Sequence, residues 1–375
     1  RFNSAFGHQS LFTNANGSGN TAVGYQSLYS NLGWENCAFG YKSLYSNTIG
    51  NYNNSFGYQS MLYNTTGENN SAFGSYSLKN NITGIQNCAF GNFSMESNTF
   101  GYHNSAFGYS ALGLNATGNR NSAFGFQSLL NNKANNNNAF GAYALKNNTT
   151  GSKNSSFGRD SLFSNTIGVD NSSFGAYSLR SNTTGLENTA VGQSSGYDIT
   201  TGRTNTLLGF NTGRGITTGN YNTILGANVT GLSATIANNI IIADGQGNRR
   251  INVDSSGNVG IGTTGPSTKL EVVGTITCTT LVETSSIATK TNVKKLASQT
   301  AKLSKLSPVS FNYKKDNKRS LGLIAEEVAQ VYPELVEYEN GRPLGVNYSK
   351  LTAVLISTVN ELAAEVAELK KQLNK

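Results

Sequence analysis

Few residues of this chain have the type and spacing that chemistry needs. The two histidines, His8 and His103, fall at non-equivalent places in a repeating pattern, so no metal site is expected. The carboxylates before position 250 are Glu35, Glu68, Glu96, Asp160, Asp170, Glu187, Asp198 and Asp244. They are scattered rather than paired, which speaks against two-carboxylate glycoside hydrolysis, although adjacent coils or chains could bring two together. Cys37 and Cys88 hold the same place in the pattern, three periods apart. Stacked at ~4.8 Å per turn they would lie roughly 14 Å apart, too far for a disulfide within one chain. They replace Ser or Thr and read as small buried residues; the third cysteine is Cys278. The glycine-rich stretches are turn glycines rather than phosphate loops, and no cofactor is implied. Ser285 and Lys290 stand at a Ser-x4-Lys spacing, which is common and carries no weight by itself.

What must position any such group is a repeat. Fourteen glycines from Gly7 to Gly226 follow one another at steps of 17 residues, with two steps of 16, Gly24 to Gly40 and Gly125 to Gly141. The residue before each is large and apolar: Phe6, Val23, Phe39 and onward to Leu225. Shortly after comes a second apolar anchor, such as Leu11, Leu28, Leu44, Met61 or Leu179, and then a turn element like Asn64 to Gly67. A helical repeat needs over ~30 residues, and Asn, Gly, Thr and Ser form helices poorly. The unit suits two short strands and two turns, one coil of a parallel β-solenoid. Glycine, and next Asn, should supply the positive φ at the corners.

Stacking identical units predicts a Phe column, a Leu column and an Asn ladder; fourteen coils at ~4.8 Å would make a rod of roughly 65 Å. One coil offers two large apolar residues and a small one, a thin core for a self-sufficient coil. Side-by-side packing of several identical rods is therefore expected, with Phe or Leu columns facing a shared axis. Periodicity alone does not give the number of chains.

The net charge is +8, but Lys290, Lys294, Lys295, Lys314, Lys315, Lys318 and Arg319 crowd the C-terminal quarter among acidic neighbours. No basic stripe with interleaved aromatics is legible in the repeats, so no nucleic-acid partner is expected. No apolar run approaches membrane length. Sequons at Asn64, Asn115, Asn148 and Asn182 follow automatically from Asn/Thr-rich turns. The chain opens at Arg1 in mid-repeat, so an N-terminal attachment region is expected to precede it.

The period fades after Gly226. Short strands with Gly/Asp turns are predicted around Asn239 to Asp244, Ile251 to Asp254, Gly257 to Gly262 and Leu270 to Gly274. From Ser285 the glycines thin out and Lys and Glu increase. Leu303, Leu306, Pro308, Val309, Phe311 and Tyr313 form a turn-and-strand set. A helix is predicted to open at Leu321 and stop near Pro333, and a long one to run after Asn347-Tyr348-Ser349 toward Lys375. In it Leu355, Val359, Leu362, Val366, Leu369 and Leu373 alternate four and three apart, a coiled-coil seam. Val at a with Leu at d leans toward dimers.

These segments carry a resemblance. The N-S-A-F-G and T-A-V-G-Y-Q-S-L units resemble the β-roll head repeats of trimeric autotransporter adhesins and, more closely, arrays in phage-type tail fibres. Lys290 to Leu296, Leu306 to Tyr313, Leu321 to Val328, Tyr332 to Val336 and Val346 to Leu351 resemble, in order, the self-cleaving intramolecular chaperone that ends phage tail spikes and fibres. The resemblance implies a module that trimerises, templates the fibre and then cuts itself off, using Ser and Lys in the pattern S-D-x-R-x-K. On this chain the pattern falls on Ser285 and Lys290, with Thr284-Ser285 as the scissile bond. Ser286 stands where the pattern has Asp and Ala288 where it has Arg. Two expectations therefore stay open: single-turnover cleavage before Ser285, and a module kept as a permanent cap.

The fold expected is mainly β: a homotrimeric parallel β-solenoid over residues 1–230, a β-rich neck over 231–284, and an α+β chaperone domain over 285–375 ending in a coiled-coil helix. The function expected is an extracellular fibre on a virion or phage-like particle. Its partners would be two further copies of the chain, a cell-surface glycan or protein receptor, and a particle protein on the N-terminal side. A bacterial surface adhesin or filament subunit is the alternative, with a glycan-degrading spike behind it.

Overall fold

A period of 17 residues returns the chain to the same point on every turn, and hydrogen bonds between turns then hold it there. The computed structural model describes residues 2–280, 282–283, 285–314, 317–339 and 341–374. It divides into two compact units, Arg1–Ile276 and Thr277–Lys375.

In the first unit, fourteen three-residue strands run from β1 (Ser4–Phe6) and β2 (Thr21–Val23) to β14 (Thr223–Leu225). Each pairs in parallel with the next at the period of the repeat, Ser4 with Thr21 and Ser71 with Cys88; the two short steps pair Thr21 with Cys37 and Ser122 with Asn138. The result is a single-chain β-solenoid of about fourteen turns.

A coil holds one strand where two were expected. The second apolar anchor lies in a turn, with Gln26 at φ 53° and Leu28 at φ 49°. Positive φ was assigned to glycine and Asn, yet Gln, Lys, Tyr, Leu and Met adopt it coil after coil. The left-handed conformation costs such residues roughly 1–2 kcal/mol each. Bonds between coils offset that cost: the Gln26 amide donates to the His8 carbonyl at 2.9 Å and the Leu28 amide to the Ser43 carbonyl at 3.0 Å. Gly57 has φ 139°, and a Cβ there would sit 2.4 Å from the Gly74 carbonyl oxygen, so only glycine lets this corner stack.

The interior also departs from expectation. From the second coil onward, Leu28, Leu44, Met61, Leu78 and their equivalents to Leu179 are fully buried within their own chain, as are Ala38, Ala72, Ala89 and the other central residues of β2 to β14. The coil therefore closes its own core, and the Leu column is not free to face another rod. Two asparagine columns complete the interior. The Asn64 amide donates to the Asn47 side-chain oxygen at 2.8 Å and to the Gly67 carbonyl at 3.1 Å. On the second ladder, the Asn70 backbone amide donates to the Asn53 side chain at 3.0 Å, and its Nδ2 to the Gly84 carbonyl at 2.8 Å. Such pairing makes polar burial tolerable. The Phe column stacks outside this core, with centroids 4.7 Å apart for Phe107 and Phe124. Cys37 and Cys88 are free and half-buried, and burial pushes both thiols up.

Toward the end of the array the core is rebuilt. The first Asn column gives way to Ile199 and Ile216, leaving the Asn182 side-chain oxygen buried without a partner. Leu179 is followed by Gly196 and Gly213, while Ala190 is followed by Leu207. A Cβ on Gly196 would lie 2.8 Å from Leu207 Cδ1, so a larger strand residue fills the space the turn residue vacates. β15 (Ile240–Ala243) extends the parallel ladder; β16 (Arg249–Val253) and β17 (Val259–Ile261) then pair antiparallel, and β18 (Leu270–Val272) parallel to β17.

The second unit contains α1 (Thr300–Leu303), a hairpin of β19 (Val309–Asn312) and β20 (Arg319–Gly322), and α2 (Ala325–Val331). A second hairpin, β21 (Val336–Glu339) and β22 (Arg342–Val346), leads to α3 (Tyr348–Leu373). Leu321 and Gly322, expected in a helix, belong to a strand; the helix starts at Ala325 and ends before Pro333. Tyr348 accounts for the difference, because its hydroxyl accepts the Leu323 amide at 2.9 Å and would lie 2.7 Å from any Cβ on Gly322. Val328, Tyr332, Leu335, Val336, Leu351 and Val354 form the core. No helix among the described residues is long and apolar enough to cross a membrane.

Candidate processing site and chaperone unit

Ser285 and Lys290 flank a short 3-10 turn, Ile287–Thr289. Ser286 caps it, its hydroxyl accepting the Ala288 amide at 3.2 Å, and the Lys290 amide closes it on the Ile287 carbonyl at 3.1 Å. The turn swings Lys290 back over Ser285: Nζ donates to Ser285 Oγ at 2.7 Å and to the Ser285 carbonyl at 3.2 Å. Ser and Asp are both good caps, so Ser286 can do locally what an Asp there would do; Ala288 supplies no charge.

An amine within hydrogen-bond reach of a hydroxyl is the geometry of a Ser–Lys dyad. Desolvation of the amine is what makes such a pair reactive, and in the single chain both side chains are open to solvent. Thr284, on the other side of the expected scissile bond, lies outside the described residues. Among the described residues, no group of three or more His, Cys, Asp or Glu could hold a metal ion.

The chain after the dyad is tethered by a residue that sequence reasoning did not single out. Glu361 of α3 accepts hydrogen bonds from Ser298 Oγ (2.7 Å), the Gln299 amide (2.9 Å), and the Thr300 amide and hydroxyl (3.2 and 2.6 Å). Bonds from the Thr300 and Ser298 hydroxyls and the Gln299 amide hold its carboxyl at about 2. Tyr332 adds a second tie, its hydroxyl donating to the Gln299 side-chain oxygen at 3.0 Å. Ser357, one helical turn earlier, also donates to Glu361 at 3.2 Å, but the partners that tie α3 to the chain after the dyad lie about 60 positions away in sequence.

The six seam residues of α3, Leu355 to Leu373, are 44–85% exposed, while Leu351, Val354 and Thr358 at its start pack inward.

A β-solenoid followed by a small α+β unit with a long terminal helix fits a tail-fibre-like or tailspike-like protein. The family described as chaperone of endosialidase matches residues 285–337, which contain the dyad, both strands of the first hairpin and α2. No curated protein and no solved structure matches the chain.

Proposed function

We propose that this chain is one strand of a homotrimeric extracellular fibre on a virion or phage-like particle. Its C-terminal unit trimerises and registers the chains, and then cleaves once before Ser285. The observation that carries the reading is the seam on α3: six apolar side chains at heptad spacing, all outside the unit's own core. Exposed apolar stripes of this kind mark association surfaces. The Phe column, on the outside of the solenoid, gives the rods a second surface to share. Cleavage would begin as the Ser285 hydroxyl attacks the Thr284 carbonyl carbon and Lys290 takes the hydroxyl proton. The peptide C–N bond then breaks, the freed Ser285 amine is protonated, and water hydrolyses the ester.

The test is the mass of the purified protein in solution, for wild type and Val359→Glu/Leu362→Glu. Three chains for wild type and fewer for the variant, with the C-terminal helix retained by circular dichroism, is the expected result. A monomeric wild type overturns the reading.

A further inference from the structure

Sequence reading found no basic stripe interleaved with aromatics in the repeats. The coils assemble one, because from Lys146 onward its members are a full turn apart in sequence. Lys146 lies over the rings of Tyr143 and Phe163, 4.9 and 6.0 Å from their centroids. Arg180 lies over Phe163 and Tyr197, at 5.1 and 5.8 Å, and Arg214 over Tyr197 at 4.7 Å. The order Tyr143, Lys146, Phe163, Arg180, Tyr197, Arg214 is thus a continuous cation–aromatic ladder along the outside of the solenoid.

We infer that this ladder binds an acidic polysaccharide laid along the solenoid. Arg214 is neutralised by Asp198, at 2.8 Å. Lys146 and Arg180 make no ion pair with any described carboxylate, so their charges are free for an anion. They lie on coils two steps apart, about 10 Å at ~4.8 Å per step. A pyranose in an extended chain is about as long as one coil step, so a carboxylate on every second sugar meets both cations in register. The Tyr197 hydroxyl, which accepts from Arg180 Nη1 at 3.4 Å, adds a polar group at the same surface for sugar hydroxyls. A single-stranded nucleic acid fits less well, because its bases need free aromatic faces and here the cations already cover the rings.

The inference names the ligand class for the attachment proposed above; that role rests on the attachment reading, whereas the binding itself does not. The test is titration of the full chain with hyaluronan, with dextran as the neutral polymer and oligo(dT) as the nucleic acid. Saturable hyaluronan binding, at least tenfold weaker in Lys146→Ala/Arg180→Ala and retained in Arg180→Lys, supports the ladder, provided the melting temperature is unchanged. Equal binding of dextran, tighter binding of oligo(dT), absence of hyaluronan binding, or binding indifferent to the double substitution each overturns it. Retention on cells is read separately. Hyaluronan binding without retention on any cell supports the ladder and removes the attachment role.

Discussion

The Glu361 carboxylate accepts the Thr300 hydroxyl at 2.6 Å and the Thr300 amide at 3.2 Å, which ties the last helix of the chain to the first helix after the Ser285–Lys290 turn. The bonds favour the ionised carboxylate, so its folded-state value, about 2, lies below the ordinary 4.5. The stabilisation is therefore fully present above about 4.5 and is lost as pH falls toward 2. The melting temperature of the C-terminal unit should fall across that window. Glu361→Gln should lower it at neutral pH and flatten this part of the acid response. Asp198 and Asp254 are also held below their ordinary values, so the diagnostic quantity is the difference between wild type and Glu361→Gln. A difference independent of pH from 7 to 2 would exclude the tie.

The asparagine ladder predicts a cost that depends on position. Asn148 donates to Asn132 and to the Gly151 carbonyl, each at 2.7 Å, and accepts from Asn165 at 2.7 Å. Asn182, where the ladder meets Ile199, makes only the donor bonds, and its oxygen is already unpartnered. Asn148→Ala strips a partner from both neighbours, whereas Asn182→Ala also removes a buried orphan. The first should cost about 1–3 kcal/mol more than the second. Equal losses in chemical denaturation would show that the ladder's side-chain bonds do not set stability.

The dyad predicts a defined mass. If Ser285 and Lys290 act, the purified protein separates into residues 1–284 and the remaining 375 − 284 = 91 residues. Ser285→Ala and Lys290→Met should each leave the chain whole. Intact-mass spectrometry decides it. A full-length wild type leaves the C-terminal unit as a permanent cap, and a cleaved Ser285→Ala removes the serine from the chemistry.

The columns were legible because a period survives any error in local structure: Phe above Phe and Asn above Asn follow from spacing alone. Where each column faces was not legible. Leu28 at φ 49° violates the local preference of its own residue type, and only bonds from adjacent coils make that backbone worthwhile. The expectation of a thin core that shares Phe or Leu columns between rods therefore failed for the Leu column, which a turn carries into the coil's own core. The same limit hid the ladder through Lys146 and Arg180 and the tie at Glu361, since the partners that extend each one lie a coil or some 60 residues away. The Ser285–Lys290 pair was found because both residues fall within one short turn and match a motif.

Repetition that stabilises a solenoid also makes assembly ambiguous, and this gives the last prediction. If the rods pack through the Phe column, sliding one chain by a coil sets Phe107 where Phe124 was, with nearly every contact replaced by its equivalent. Features that mark an absolute position are sparse: the two 16-residue steps, the Val and Leu members of the Phe column (Val23, Val191, Leu208, Leu225), and the core changes that begin after Asn182. One slip thus costs little, and the array alone cannot choose a register efficiently. On the function proposed above, the non-repetitive C-terminal unit associates through its α3 seams and would fix the register before the rods join. Deleting residues 285–375 should therefore yield aggregates or particles of mixed mass that melt broadly, while the full chain gives one species with a sharp transition. Light scattering after size exclusion, together with thermal melts, measures both. A truncated chain that forms uniform trimers with the wild-type melt would mean that the repeats find their own register and need no chaperone.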